Sequence, residues 1–157
     1  MTPFNSFFIA MGTNLGDRLK NLDQAKMEMQ LSFKLIAESR VYESPAIDYL
    51  NQPDFYNQVL EFQLPLLSAE NAMVLLLQIE KKLGRNRVIP KGPRLIDLDL
   101  LFWGLESFQT DILEIPHPRL FTRSFVVLPL SELPGFNTLK NYFDFNFQFN
   151  NDANVLS

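Results

Sequence analysis

Two segments of the chain carry apolar residues at the three- and four-residue spacing of an amphipathic helix. The apolar positions are Leu15, Leu19, Leu22, Ala25 and Met29 in the first segment and Ala72, Leu75, Leu76, Ile79 and Leu83 in the second. Such spacing places the apolar side chains on one helical face. Ser68 is a suitable N-cap for the second helix, and Gly84 marks its end. We therefore predict two helices that each pack one face onto a core.

Four other segments read as strands, over residues 6–12, 34–44, 55–64 and 95–104. The third alternates polar and apolar residues, which predicts a strand that is half-buried on one side. The resulting order, βαββαβ, predicts an α+β, ferredoxin-like fold with an antiparallel sheet and both helices on one of its faces. A parallel doubly wound sheet fits less well, because it needs a helix where only the loop of residues 45–54 stands.

The C-terminal part of the chain is less regular. We expect a short helix within residues 124–133 and a tail, from about residue 145 to residue 157, that frays. We find no internal repeat and no long linker, so residues 1–157 are expected to form a single domain.

Composition narrows the possible environments and partners. The chain has no cysteine, which excludes disulfides and thiolate metal sites. Its net charge of −4 argues against a nucleic-acid partner. No Lys or Arg precedes the first apolar run, and no run is long enough to cross a membrane. We therefore expect a cytoplasmic protein without a nucleic-acid or membrane partner. We also expect it to be a monomer.

The predicted fourth strand carries two carboxylates, Asp97 and Asp99, among its apolar residues. Residues two apart on a strand face the same side, so these like charges repel unless something offsets them. A magnesium ion would do so, because it takes oxygen ligands. A solvated sheet face or pairing with arginines would also explain the two aspartates. The Asp-x-Asp pattern alone is weak evidence for a metal site.

Basic residues precede this strand: Arg85, Arg87, Lys91 and Arg94. Magnesium is usually bound through one or two carboxylates plus substrate phosphates, and arginine binds phosphate well, so this cluster favours a magnesium–polyphosphate site. The plainer alternative to a phosphate site is a run of charged residues that are solvated at the surface. No Gly-x-x-x-x-Gly-Lys-Ser/Thr pattern is present. The single histidine, His117, stands between two prolines, a rigid setting that suits ligand contact but also an ordinary surface loop.

Four blocks together resemble one family. They are "GTNLGDR", "YESPAIDYLNQPDFYNQV", "GPRLIDLDLLFWG" and "IPHPRLFTRSFVVLPL". In this order they are similar to the sequence signature of the 6-hydroxymethyl-7,8-dihydropterin pyrophosphokinases of folate biosynthesis. The third block is the most specific, although Trp103 stands where the family has Phe or Tyr.

The resemblance implies a magnesium-dependent enzyme that transfers pyrophosphate from ATP to the pterin hydroxymethyl group and releases AMP. It assigns two Mg²⁺ ions to Asp97 and Asp99, and catalytic roles to these aspartates with Arg85 and Arg94. The implied ATP-binding residues are Glu80, Arg85, Arg87, Arg94, Ile96, His117 and Arg123. The implied pterin-binding residues are Ser44, Pro45, Ala46, Ile47, Phe55, Asn57 and Phe125. Arg87 falls on a loop that closes over the substrates.

Two departures from the family pattern concern ATP and the loop. Lys91 stands where relatives often have an aromatic residue, and Leu77 where they often have Gln. The alternatives to this enzyme are a non-catalytic ferredoxin-like module that binds a nucleotide or a pterin, and a nucleotide-handling enzyme of another family. The fold alone does not separate them. A general magnesium–ATP enzyme needs Asp97 and Asp99, but it does not need "NQPDFYN" and "RSF" as well.

Overall fold

The computed structural model describes residues 4–46, 51–84 and 95–156. Within these ranges the chain forms eight strands, β1 to β8 in chain order: Ser6–Thr13, Leu35–Glu38, Tyr42–Ser44, Phe55–Gln63, Asp97–Trp103, Phe108–Gln109, Glu114–Ile115 and Asn154–Val155. The same ranges form four helices, α1 to α4: Arg18–Gln30, Ala69–Lys82, Ser124–Leu130 and Phe136–Tyr142. A short 3-10 turn spans Leu120–Thr122.

The main sheet confirms the predicted α+β, ferredoxin-like architecture. Its strand order is β5-β1-β4-β3-β8, with β2 also paired to β4, and every pairing is antiparallel. Within the βαββαβ core, α1 and α2 connect strands that are not neighbours in the sheet. A separate two-strand ribbon is formed by β6 and β7.

The first helix is shorter than its apolar pattern predicted. Asp17 caps α1 by accepting a hydrogen bond from the Lys20 backbone N–H at 3.2 Å, so Leu15 lies before the helix. Leu15 and Leu19 are 43% and 48% exposed, and the buried stripe consists of Leu22, Ala25 and Met29. The second helix follows the prediction: the Ser68 hydroxyl accepts from the Asn71 N–H at 3.1 Å, and Gly84 has φ +89°.

The first face of the sheet, which we call the helix face, is covered by α1 and α2. Phe7, Ile9 and Met11 of β1 pack there with side chains such as Leu22 and Leu76 in one apolar cluster. Phe7 lies 5.0 Å from Phe33 and 5.3 Å from Phe62, measured between ring centroids. Burial of this cluster supplies much of the hydrophobic free energy of folding.

The second face, which we call the site face, is also covered, so β4 is buried on both sides rather than on one as predicted. Phe8 and Val59 pack there against α3, α4 and the residues that follow them. The buried Glu61 carboxylate ties this layer to the sheet. It accepts from the Ser6 hydroxyl at 2.7 Å and from the Gly135 N–H at 2.9 Å. Any side chain at Gly135 would collide with Glu61 and Phe8, because a Cβ atom would lie 2.7 Å from each.

A β-bulge changes the direction of the last two apolar side chains of β5. Phe8 pairs with Phe102 and Ile9 with Leu100, so Leu101 is the extra residue. Phe102 therefore lies on the site face with Leu101, although an unbroken period of two residues would place it on the helix face with Ile96, Leu98 and Leu100.

The predicted second strand is two strands, β2 and β3, separated at Ser39. The Ser39 hydroxyl accepts the Val59 N–H at 2.9 Å, and the Ser39 carbonyl accepts from the Gln58 side chain at 2.7 Å. These side-chain bonds replace part of the regular ladder, so the pairing with β4 is interrupted.

In the C-terminal part of the chain, one prediction is confirmed and another is wrong. The short helix within residues 124–133 is confirmed as α3. The expected fraying of the tail was wrong, because Phe145 packs 4.9 Å from Phe136 and 5.2 Å from Phe121, and β8 pairs with β3. Helix α4 was not predicted. None of the described helices is long and apolar enough to cross a membrane.

Candidate active site

The candidate site is a cleft on the site face, where β1, β4 and β5 come together beside the start of α3. Asp97 and Asp99 line it. Their cross-strand partners on β1 are Gly12 and Ala10. The prediction that the two carboxylates share one sheet face is confirmed, and both are partly exposed to the cleft.

The floor of the cleft is formed by small residues of β1, Ala10 and Gly12. A Cβ atom at Gly12 would lie 3.6 Å from Asn57 Oδ1 and 3.7 Å from a ring carbon of Phe55. These are ordinary contact distances, so a side chain would fit but would occupy space that the cleft now leaves open. The sequence carried a signal for this position, since Gly12 opens the "GTNLGDR" block, but we did not assign it to the site.

The two aromatic residues predicted to hold the pterin line the same cleft. Phe55 begins β4, and Phe125 is the second residue of α3, which is distant in sequence. Ser44 and Pro45 line the cleft beside Phe55, to which Ser44 is paired across the β3–β4 ladder. A flat heterocycle bound here would meet aromatic surface and polar backbone together.

The Asn57 amide is oriented by the protein itself. Its Nδ2 donates to the Tyr42 carbonyl at 3.1 Å and to the Ser44 hydroxyl at 2.9 Å, and the residue is 5% exposed. Both amide hydrogens are used in these bonds, so the group has an acceptor to offer, its Oδ1, and no donor. An unbonded amide offers both a donor and an acceptor, but here only the acceptor is available to a ligand, and the pterin contact of Asn57 stays a prediction.

Two arginines line the other part of the cleft. Arg123 was predicted as an ATP-binding residue, and its guanidinium lies 5.7 Å from the centre of the Phe125 ring. Arg119 was not predicted, although it is part of the quoted "IPHPRLFTRSFVVLPL" block. Gln52 is a further lining residue that we missed, and its side-chain oxygen accepts from Asn14 at 2.8 Å.

His117 follows a cis Ile115–Pro116 bond and is held by backbone contacts. The backbone N–H of His117 donates to the Leu101 carbonyl at 3.0 Å, and its ring Nδ1 accepts from the Arg119 backbone N–H at 3.3 Å. Burial, with smaller effects of Arg123 and Arg119, lowers the pKa of His117 to about 4, although Asp97 opposes the shift. The imidazole is therefore neutral at pH 7, with its proton on Nε2.

Other predicted residues lie beside the cleft rather than in its lining. Glu80 is 5% exposed, and its Oε2 accepts from the Leu98 N–H at 2.7 Å, between the two aspartates in β5. The Ile96 side chain belongs to the apolar cluster of the helix face. Ala46 is buried next to Pro45. The ligand contacts predicted for these three residues stay predictions.

Several predicted residues lie outside the described residues. They are Ile47 of the pterin set and Arg85, Arg87 and Arg94 of the phosphate set, with Lys91 between them. Their assignments, including loop closure, also stay predictions.

The donor set of the cleft is suitable for magnesium. Asp97 and Asp99 offer hard oxygen atoms toward one open space. In the described ranges, these carboxylates are not part of any cluster of three or more Asp, Glu or His side chains suited to hold a metal. A magnesium ion commonly keeps such a sparse protein shell, because substrate phosphates and water complete its octahedron.

Comparison with known proteins decides the family. Residues 8–135 match the family described as 7,8-dihydro-6-hydroxymethylpterin-pyrophosphokinase (HPPK). The chain belongs to this family. The predicted family is thereby confirmed.

Individual relatives agree with this assignment. The 2-amino-4-hydroxy-6-hydroxymethyldihydropteridine pyrophosphokinase of Bacillus subtilis is 37% identical over 131 residues, which are 82% of this chain and 78% of that protein. The folic acid synthesis protein of Pneumocystis carinii is 43% identical over 129 residues, 82% of this chain. The chain spans 17% of that longer protein and 25% of the folate synthesis bifunctional protein of Pisum sativum.

Solved structures support the fold. The crystal structure of an HPPK-DHPS in complex with substrates has a TM-score of 0.63 at 14% identity, over 83% of this chain and 40% of that chain. Wild-type Plasmodium falciparum HPPK-DHPS with pteroate has a TM-score of 0.61, also at 14% identity, over 81% of this chain and 38% of that chain.

Proposed function

We propose that this HPPK chain transfers the terminal pyrophosphate of ATP to the hydroxymethyl group of 6-hydroxymethyl-7,8-dihydropterin, as a step of folate biosynthesis. ATP is the co-substrate that the family's reaction uses, and AMP leaves. The observation that carries the proposal is one cleft that joins Phe55, Phe125 and Asn57 to Asp97 and Asp99, in a chain of this family.

The heterocycle occupies the part of the cleft between Phe55 and Phe125. Both rings offer apolar faces to a flat ligand. Asn57 Oδ1 accepts a hydrogen bond from an N–H group of the pterin, since its own amide hydrogens are already used by Tyr42 and Ser44. Because those two bonds fix the amide before the ligand arrives, little conformational entropy is lost on binding.

The polyphosphate lies toward Asp97 and Asp99. These two side chains would hold two Mg²⁺ ions, which when bound offset phosphate charge as the reaction proceeds. Arg119 and Arg123, in the lining of the same cleft, offer guanidinium groups to phosphate oxygens. Arg85, Arg94 and Arg87 are further phosphate contacts in this proposal, on the evidence of the sequence.

The transfer itself is a substitution at the β-phosphorus of ATP. The pterin hydroxyl oxygen forms a bond to that phosphorus, and the bond between the β-phosphorus and the oxygen bridging it to the α-phosphorus breaks. AMP keeps the bridging oxygen, and the hydroxyl proton passes to solvent. The chain contributes by holding both reactants in one cleft and by surrounding the phosphates with positive charge.

Neutral His117 suits a contact with ATP that adds no charge. Its Nδ1 accepts from the Arg119 backbone, so its Nε2–H is the donor available to a substrate oxygen. We include it as an ATP-binding residue on that basis.

The test is AMP formation from ATP in the presence and absence of 6-hydroxymethyl-7,8-dihydropterin. We expect AMP release that depends on the pterin, stops with EDTA and resumes with added Mg²⁺. Tight binding of both ligands without AMP release would instead support the non-catalytic binding module. AMP release that is independent of the pterin would support a nucleotide-handling enzyme of another kind.

A further inference from the structure

The C-terminal segment, residues 143–156, contacts two elements that carry residues of the pterin part of the cleft, β3 and α3. Strand β8 pairs with β3, and the Leu156 N–H donates to the Val41 carbonyl at 2.8 Å. Asn151 bonds to the chain immediately before and at the start of α3. The segment itself is anchored by aromatic contacts, among them Phe145 against Phe136.

Asn151 makes three hydrogen bonds around the residues that line the cleft. Its Oδ1 accepts from the Ser124 N–H at 2.8 Å and from the Ser124 hydroxyl at 2.6 Å. Its Nδ2 donates to the Thr122 carbonyl at 2.8 Å. Arg123 stands between these two bonded residues, and Phe125 follows them.

The N-cap residue of α3, Arg123, makes no side-chain capping bond at the start of the helix, so Asn151 supplies the side-chain bond to the Ser124 N–H there. The far end of α3 is tied separately. The Glu132 carboxylate accepts from the Arg40 N–H at 2.9 Å and from the Tyr42 hydroxyl. Helix α3 is therefore held at one end by a residue close to it in sequence and at the other by Asn151.

We propose that Asn151 is a positioning residue of the pterin site, which holds the Arg123 and Phe125 backbone so that both side chains face the cleft. The inference rests on the proposed function for the identity of the ligand. It goes beyond the family resemblance, because the family match ends at residue 135 and Asn151 lies after it.

Three variants test it: Asn151→Ala, Asn151→Asp and the control Asn146→Ala. Asn151→Ala removes the three bonds to Ser124 and Thr122 and a fourth within the segment, from Nδ2 to Asn150 Oδ1 at 3.1 Å, whereas Asn151→Asp keeps the acceptor for Ser124 and loses the donor to Thr122 and Asn150. Asn146 is an exposed amide in the same segment, and its Oδ1 accepts the Gln148 N–H at 2.9 Å, so its bond stays within the segment.

We expect Asn151→Ala to raise KM for the pterin about tenfold and to change kcat less than about threefold, because one or two net hydrogen bonds are lost from a binding element. Asn151→Asp should restore KM to within about threefold of the parent, and Asn146→Ala should match the parent. Backbone amides from Ser124 to Val127 should exchange with solvent faster in Asn151→Ala without any ligand.

An unchanged pterin KM in Asn151→Ala would overturn the inference, as would a loss explained entirely by a lower folded fraction. If Asn151→Ala does not fold, Ser124→Ala removes one of the same bonds more gently, and a parent-like KM in that variant also overturns it. Failure of the proposed function is distinguishable, because the parent and the Asn146→Ala control would then form no pterin-dependent AMP. Amide exchange from Ser124 to Val127 reports how firmly the start of α3 is held, whether or not the protein forms AMP.

Discussion

The two faces of the sheet are built in different ways. The helix face is closed by α1 and α2 over a large apolar cluster, and the buried polar side chains of Gln58 and Glu80 there each bond to a backbone group. The site face buries polar groups among its apolar ones, including Asn57, Glu61 and Ser124, and carries Asp97 and Asp99 in the cleft. Its cover consists of two seven-residue helices and the C-terminal segment. One face therefore supplies stability, while the other gives up part of its apolar burial for chemistry.

The strongest test of this contrast is replacement of the aspartates. Asp97→Asn or Asp99→Asn should lower turnover by about 10²–10³-fold or more, because each carboxylate is proposed to hold a metal that offsets phosphate charge. Without metal, either variant should melt at the same temperature as the parent or higher, since one of two repelling charges is removed. The measurements are AMP production with Mg²⁺ and thermal melting without it. A much lower melting temperature with near-normal turnover would make the pair structural.

The matching change on the helix face is Leu76→Ala. Leu76 is fully buried in the apolar cluster, so the substitution should lower the free energy of unfolding by about 2–5 kcal/mol. Turnover per folded molecule should stay close to that of the parent, because Leu76 does not line the cleft. Urea unfolding and AMP production below the transition check both expectations. A specific loss of turnover would show that the two faces are not functionally separate.

Neighbouring amides on β4 sharpen the comparison. Asn57 faces the cleft, whereas Gln58 faces the other side and donates to the Ser39 carbonyl at 2.7 Å. Asn57→Ala should weaken pterin binding by about 1–3 kcal/mol and leave ATP binding nearly unchanged, because it removes one ligand acceptor.

Gln58→Ala is the control for that experiment. It should lower stability and leave the affinity of the folded protein for the pterin as it was. Separate titrations of the two ligands measure this. Equal weakening of pterin and ATP by Asn57→Ala would argue against its contact with the pterin.

The smallest expected effect is a pH dependence that comes from His117. The folded pKa of about 4 lies below the ordinary value of 6.5, so the unfolded chain binds more protons between these values. Stability from this residue is therefore present above about pH 6.5 and is lost as the pH falls toward 4. Allowing for partial exposure, the loss is about 1–2 kcal/mol.

His117→Asn should flatten this part of the pH–stability curve. The neighbouring charges that act on the imidazole are Arg119, Arg123 and Asp97. Because the chain has a single histidine, its NMR titration in the metal-free protein can be followed without overlap. A titration midpoint near 6.5 would contradict the shift and remove the reason for the expected pH dependence.

The sequence by itself determined the helix face and the type of fold. Helical spacing identified α2 between Ser68 and Gly84, and two-residue spacing placed Asp97 and Asp99 on one side of a strand. Such inferences succeed because helices and strands impose fixed periods on the residues that must be buried. The quoted motifs added the family, and with it Phe55, Asn57 and Phe125.

Only the tertiary structure decided how the site face is covered and how its side chains are oriented. The bulge at Leu101, the two hydrogen bonds that use both donors of Asn57, and the attachment of Asn151 to α3 all join residues far apart in sequence. Local periodicity carries no information about such contacts, since each depends on where two distant backbone segments meet. The C-terminal segment shows the point most clearly. Its Phe residues at 143, 145, 147 and 149 alternate with polar ones as in a strand, yet residues 143–149 form no strand, and the segment is held instead through Phe145, Asn151 and the β3 edge.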